Sequence, residues 1–143
     1  MDKDIQAVKE AHRVFYEAFE SLDIHQMDAV WLKADYVKCV HPGWDIRVGW
    51  PAVRDSWVLI FNHTYEIRFS VCLLDVIIRK NLAWTVCKET ISTQDKGKWL
   101  DGQIVATNLY ERSDEGWGLI HHHGSPLLSQ DQGQDQGIET PSE

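Results

Sequence analysis

From Ile5 onward, apolar residues recur at Ile5, Val8, Phe15, Phe19 and Leu22, with His12 in the slot between Val8 and Phe15, which is the spacing of one helix face. Asp23 then suits the N-cap of a second, shorter helix that aligns Ile24, Met27, Val30 and Trp31. The segment ADYVKCVHP alternates Tyr36, Lys38 and Val40 against Val37, Cys39 and His41, so it reads as a strand halted at Pro42. Beyond it GWDIRVG reads as a turn-rich connection, and Pro51 suits the first turn of a third helix carrying Val53, Trp57 and Ile60 or Phe61 on one stripe.

Everything later alternates with period two. Tyr65, Ile67, Phe69, Val71 and Leu73 share a face, after which the phase moves to Leu74, Val76 and Ile78, and this predicts a bulge that bends the strand. LAWTVCKETIS, GQIVATNLYER and GWGLIHHHGS follow as strands separated by the turn-like QDKGK and SDEG. Helix, helix, strand, helix and then antiparallel strands is an α+β order, in which three helices packed into the concave side of a curved antiparallel sheet would form a cone. This domain is expected to occupy residues 1–128. The stretch 129–143, rich in Gln, Asp and Gly with one aliphatic residue, is expected to be a disordered acidic tail.

Composition narrows the function classes. A chain of 143 residues with 43% apolar residues fits one domain. Its 22 acids against 14 bases, a net charge of −8, disfavour nucleic acid and an anionic membrane surface, both of which need a cationic footprint. Four of the acids (Asp131, Asp135, Glu139, Glu143) lie in the tail, so the remaining body is only mildly acidic. No run is apolar enough to span a bilayer and MDKDIQAVKE lacks a signal-peptide layout, so a cytoplasmic protein is expected. Cys39, Cys72 and Cys87 are odd in number, lack CxxC spacing and lie in apolar runs, which predicts buried thiols.

The conspicuous chemistry is His121-His122-His123. In a strand, His121 and His123 point to one face, by phase that of Trp117 and Leu119, and His122 to the other. Asn108, set among Ile104, Ala106 and Tyr110, needs a polar partner. One reading makes His121 or His123 an acid or base, with Asn108 donating to a carbonyl or oxyanion. The other is a polar cluster that satisfies itself. His41 with His121 and His123 would offer three nitrogens to a metal, but no acid stands where it would orient an imidazole, and no metal is expected. His41, before Pro42-Gly43-Trp44, would sit at a pocket rim. His12 is a core residue or a ligand contact. Trp44, Trp57 and Trp84 could wall an apolar pocket, while at least four of the seven tryptophans are expected to fill the core or an interface.

AFESLDIHQMDAVW, VHPGW, VGWPAVRDSW and ATNLYERSDEGWGLIHHHGSPL, in this order, resemble a SnoaL-like protein of the nuclear transport factor 2-like and ketosteroid-isomerase-like superfamily, over roughly Ile5 to Leu128. The resemblance implies a cystatin-like cone around a pocket and a homodimer built through the convex sheet face. It leaves the activity open, since the superfamily holds enzymes and non-enzymes. In ketosteroid isomerase an Asp base works with a Tyr and a protonated Asp that donate to the substrate oxygen. The resemblance puts His41 in the place of that base, Phe15 in the place of the Tyr with Tyr16 one residue out of phase, and Asn108 in the place of the protonated Asp. The expectation is a binder of a small, largely apolar organic molecule without a cofactor, with isomerase- or cyclase-like acid–base chemistry on His41, Asn108, His121 and His123. His12, Phe15, Tyr16, Trp44, Trp57, Trp84 and Tyr110 would contact the ligand. The alternative is a non-catalytic homodimeric assembly module whose pocket is filled by its own tryptophans.

Overall fold

The structure, a computed structural model, describes residues 2–128, so the tail expected at 129–143 lies outside the described residues. Helix α1 (Asp2–Ser21) carries Asp2 and Asp4 in its first turn, where carboxylates complement the positive helix end, and it stops where Leu22 turns left-handed at φ 55°. Its buried face is wider than the predicted stripe, because Tyr16 and Ala18 join Val8, His12, Phe15 and Phe19. Helix α2 (Ile24–Asp28) is shorter than expected. Asp23 caps it, accepting from the His25 amide at 2.9 Å, but the chain leaves the helix at Ala29 and Trp31 bridges to Leu119 instead.

Strand β1 (Lys38–Val40) is followed by β2 (Arg47–Val48), a short antiparallel partner where only a connection was expected. Gly49, at φ 87°, then turns the chain into α3 (Trp50–Asn62) while its amide donates to the Val37 carbonyl at 2.8 Å. Four long strands complete the fold: β3 (Ile67–Arg79), β4 (Leu82–Asp95), β5 (Lys98–Ser113) and β6 (Gly116–Pro126). The six-stranded sheet runs β2-β1-β6-β5-β4-β3, with β1 parallel to β6 and the other pairs antiparallel. Lys96 and Gly97, at φ 52° and 82°, close the β4–β5 hairpin in the left-handed geometry that matches strand twist.

Two bulges set the curvature and the faces. Leu73 pairs with Cys87 but Asp75 pairs with Val86, so the bulge lies where the phase break predicted it, with Leu74 as the extra residue, which turns to solvent instead of sharing the inner face expected for Leu74, Val76 and Ile78. The second bulge has no such signature in the sequence: Leu109 pairs with His121 but Tyr110 with Leu119, which makes Ile120 the extra residue. Everything on β6 after Ile120 is therefore inverted relative to simple alternation. His122 faces the interior with Leu119, while His121 and His123 face out, reversing the expectation for all three histidines.

Phe15, Phe19, Trp57, Phe61 and Phe69 interlock between α1, α3 and β3 in edge or tilted contacts with centroids 4.5–6.2 Å apart. Such pairs contribute about 0.5–1.5 kcal/mol each beyond their burial. Trp31 and Trp57 are buried within the chain and Trp50 and Trp117 pack half-buried against its core, while Trp99 is exposed on the β4–β5 hairpin. Cys39 and Cys87 are buried as expected, whereas Cys72 is exposed, because it pairs with Lys88 on the outward parity of β3.

Candidate functional site

Strand parity brings Ala83, Thr85, Cys87 and Glu89 of β4 to the inner face, beside Ile104, Ala106, Asn108 and Tyr110 of β5 and His122 of β6. Polar groups in such a wall must satisfy one another, and four of them do so in sequence. His122 Nδ1 lies 2.5 Å from Asn108 Oδ1, Asn108 Nδ2 donates to the Tyr16 oxygen at 3.3 Å, and the Tyr16 hydroxyl donates to Glu89 Oε2. Cys87 Sγ lies 3.3 Å from the same Tyr16 oxygen.

The direction of this chain follows from the groups themselves. An amide oxygen only accepts, so His122 donates through Nδ1, and the Asn108 amide is thereby oriented with its NH2 toward Tyr16. With Asn108 and the Cys87 thiol donating to it, Tyr16 has its lone pairs filled and its single proton committed to Glu89. Burial pushes the Glu89 carboxyl up to about 7 against the opposing effect of the Tyr16 hydrogen bond. Burial, and then the nearby Glu89 charge, hold the Tyr16 hydroxyl well above its usual range. Burial keeps His122 well below the usual imidazole value, and pushes His12 down to about 4. Both imidazoles are neutral near pH 7.

This chain ends beside a cleft of about 390 Å³ between α1 and β3. His12, Arg13, Tyr16, Glu17 and Glu20 form its α1 wall. Phe69, Val71 and Leu73 form the opposite wall, and Glu89 is the cross-strand partner of Val71. Glu89 is 2% exposed. Arg13 is held by Glu10 at 2.7 Å and Glu17 at 2.7 Å, and Glu20 Oε2 accepts from the Phe69 amide at 2.7 Å. His12 places Nδ1 3.2 Å from Thr85 Oγ1 and 3.4 Å from the Tyr110 hydroxyl, while its buried Nε2 has no partner among the described residues.

The residues expected from the sequence divide. Asn108 and Tyr16 are members of the hydrogen-bonded chain, whereas His12 and Tyr110 form a second group with Thr85, joined to the first by the edge-on contact of the His12 and Tyr16 rings at 5.0 Å, and Tyr110 does not line the cleft. Tyr16, expected out of phase, supplies the hydroxyl that meets Asn108, whereas Phe15 turns toward Trp57 and His122 in the core. Phe15 and Trp57 are both fully buried and line none of the α1/β3 cleft. His41 also lies outside the cleft. Ser56 donates its proton to the Val53 carbonyl at 2.6 Å, so His41 must donate to Ser56 Oγ through Nε2 at 2.8 Å, and its imidazole is wedged against Trp44 and Trp57. Burial pushes His41 down to about 4, so it is a neutral tie between β1 and α3 rather than a base at a pocket rim.

His121 and His123 do not line the cavity, because the Ile120 bulge turns them to the outer face across from Leu109 and Thr107. Trp84 faces out as well, opposite Ile77, since the inward parity of β4 belongs to Ala83 and Thr85. His41 is thus separated from the His121–His123 pair by the sheet, and among the described residues no three His, Cys, Asp or Glu side chains are grouped to hold a metal. Glu89 is the functional candidate that sequence reading missed. Its signal was present in the alternation Ala83, Thr85, Cys87, Glu89, Ile91, which places a carboxyl on an otherwise uncharged inner face.

With this geometry in hand, comparison with known proteins is informative. A SnoaL-like domain model matches residues 8–129. A candidate dehydratase of the NTF2-like family from Streptomyces avermitilis is 33% identical, with a TM-score of 0.84 over 90% of this chain and 100% of that one. A candidate calcium/calmodulin-dependent protein kinase type II association domain from Thiobacillus denitrificans is 32% identical, with a TM-score of 0.77 over 84% and 94%. F-box protein SKIP8 of Arabidopsis thaliana is 28% identical over 127 residues, 89% of this chain and 52% of that protein, so the chain spans about half the length of this curated relative. Among the described residues no helix is long and apolar enough to cross a membrane.

Proposed function

The chain belongs to the SnoaL-like domain family, and from that premise we propose that it binds a small organic molecule in the α1/β3 cleft and acts on it by proton transfer through Glu89. The observation that carries this reading is the one-way chain of hydrogen bonds from His122 through Asn108 and Tyr16 to Glu89. A carboxyl held near 7 is divided between acid and base at neutral pH, so it can take a proton from a substrate carbon and return it without a large free-energy penalty in either direction. Tyr16 fixes one carboxyl oxygen, and Oε1 accepts no hydrogen bond from a described side chain, leaving it for the substrate. The relative at 33% identity is a candidate dehydratase, and dehydration takes a proton from one carbon and delivers one to the hydroxyl of the next, so that the C–O bond breaks, a C=C bond forms and water leaves.

Native mass spectrometry of the freshly purified chain tests this first, followed by a thermal-shift panel of uncharged and charged small molecules on wild type and Glu89→Gln. A co-purified organic mass, or a ligand that stabilises the fold by about 2.7 kcal/mol at a hundred times its Kd, supports the reading. A bare protein that no pocket-sized molecule stabilises overturns it.

A second reading, a homodimeric association module without a small-molecule ligand, draws on a different observation. Phe15 and Trp57 are 0% exposed and fill the deep end of the cone. Half-buried Trp84, Val86 and Leu109 line the outer sheet face, and a relative at 32% identity is a candidate association domain. A bare dimer in the same spectrum favours this reading, and a bare monomer removes it.

A further inference from the structure

The α1/β3 cleft has an unusual balance of polar groups. Among the described residues its one lining cation, Arg13, is bonded to Glu10 and Glu17, which leaves Glu20 of the lining and the adjacent Glu89 as acids with no cationic partner. Lys9 lines the adjoining groove over Leu74 and Asp75 and not this cleft. A carboxylate or phosphate entering here would meet like charge, and among the described lining residues the one cation, Arg13, is shared with two carboxylates.

Hydrogen-bonding capacity points the same way. The Tyr16 proton is committed to Glu89 and its lone pairs are filled, so Tyr16 has nothing left to donate. Glu89 Oε1 and Glu20 Oε1 are open acceptors. An ammonium group offers these two acceptors three donors and a positive charge on one atom. The rings of Tyr16 and Phe69, tilted at 59° with centroids 5.3 Å apart, add π-faces that attract a cation. Val71 and Leu73 offer the apolar surface on which the rest of a ligand can rest.

We infer that the ligand of this cleft carries an ammonium group on a compact apolar body, the ammonium seated between Glu89 and the α1 carboxylates and the body against Phe69, Val71 and Leu73; this rests on the cleft being the ligand site. Binding then depends on pH through Glu89. Tyr16 of α1 and Cys87 of β4 lie against Glu89, the other titratable or charged groups of the adjacent cleft are His12, Arg13, Glu17 and Glu20 of α1, and the neighbours of Glu89 across the sheet, Val71 and Ile104, are uncharged. With the carboxyl held near 7, the fraction carrying charge falls several-fold from about pH 8 to about pH 6, and His12, near 4, stays neutral across this range.

The test uses three probes of one shape, benzylamine, benzyl alcohol and benzoate, titrated into the ¹⁵N-labelled full chain while the Val71 and Leu73 amide signals are followed. Benzylamine is expected to bind at least about tenfold more tightly than benzyl alcohol at about pH 8, to lose several-fold of that affinity at about pH 6, and to leave benzoate far behind at both. Glu89→Gln is expected to abolish the preference for benzylamine over benzyl alcohol, read as the ratio of the two affinities within the variant, and the pH comparison on wild type makes the same point with no substitution. Equal binding of amine and alcohol at both pH values, or tighter binding of benzoate, overturns the ammonium assignment while leaving the cleft as a ligand site. If none of the three moves the Val71 and Leu73 signals, the assignment and the cleft reading fall together.

Discussion

Removing the Glu89 carboxyl while keeping its shape, by Glu89→Gln, isolates the free energy stored in its ionisation. A glutamate that titrates near 4.5 in the unfolded chain and near 7 in the folded one binds more protons folded than unfolded throughout that interval. Its contribution to stability is therefore fully present below 4.5 and is lost as pH rises through 7. At 1.36 kcal/mol per pKa unit, the interval corresponds to about 3 kcal/mol. His12 and His41 run the other way. Burial takes each from 6.5 to about 4, so their contribution is present above 6.5 and is lost as pH falls toward 4. The two windows overlap between about 4.5 and 6.5, where two histidines outweigh one carboxyl, so wild type should be most stable near pH 7 and its raw pH profile mixes both effects. The difference between wild type and Glu89→Gln cancels the histidines. Urea denaturation of both proteins at several pH values between about 4.5 and 8 is expected to show the variant gaining about 3 kcal/mol relative to wild type across that range. A difference that stays constant to within about 0.5 kcal/mol would show that Glu89 titrates as an ordinary surface carboxyl and would remove the basis for proton transfer at this position. ¹³C detection of the Glu89 carboxyl gives its midpoint directly, and in Tyr16→Phe, which loses the donor to Oε2, that midpoint is expected to move up.

Asn108→Leu keeps the volume but leaves the His122 Nδ1 proton and the Tyr16 oxygen without their partner, so chemical denaturation is expected to show a loss of about 2–4 kcal/mol. The histidine assignments can be checked against the core: His121→Ala and His123→Ala, on the outer face, should each cost less than about 1 kcal/mol, whereas Trp57→Ala, at 0% exposure, should cost about 3–5 kcal/mol. Gly118→Ala would put a Cβ 2.8 Å from Leu32 Cγ, and thermal melting is expected to register the overpacking as a loss of about 1–3 kcal/mol.

Much of the architecture was legible because it rests on local rules. The α1 stripe, the Asp23 cap, Pro51 opening α3, the period-two strands and the break at Leu74 all follow from spacing and backbone preference, and each appears where the pattern places it. Local rules failed where a partner strand or helix decides the outcome. Nothing in GWGLIHHHGS marks Ile120 as surplus. The bulge exists because β6 must keep both Leu119 and His122 on the inner face, opposite Tyr110 and Asn108, and that one residue moved the candidate chemistry from His121 and His123 to His122. Tyr16 and Phe15 are neighbours on a helix, both inward, and only the position of β4 and β5 determines which hydroxyl or ring meets Asn108. Glu89 could be counted onto an inner face from alternation alone, but its carboxyl is pushed to about 7 because burial in the assembled fold outweighs the opposing hydrogen bond from Tyr16. Sequence by itself thus determined the long elements, the curved α+β plan and the family resemblance, since these depend on residues close along the chain, whereas the short β2 and the early end of α2 depend on pairing with β1 and β6. The tertiary structure decided which side chains meet, because a strand's face is set by register, and a buried carboxyl's proton affinity by what packs against it.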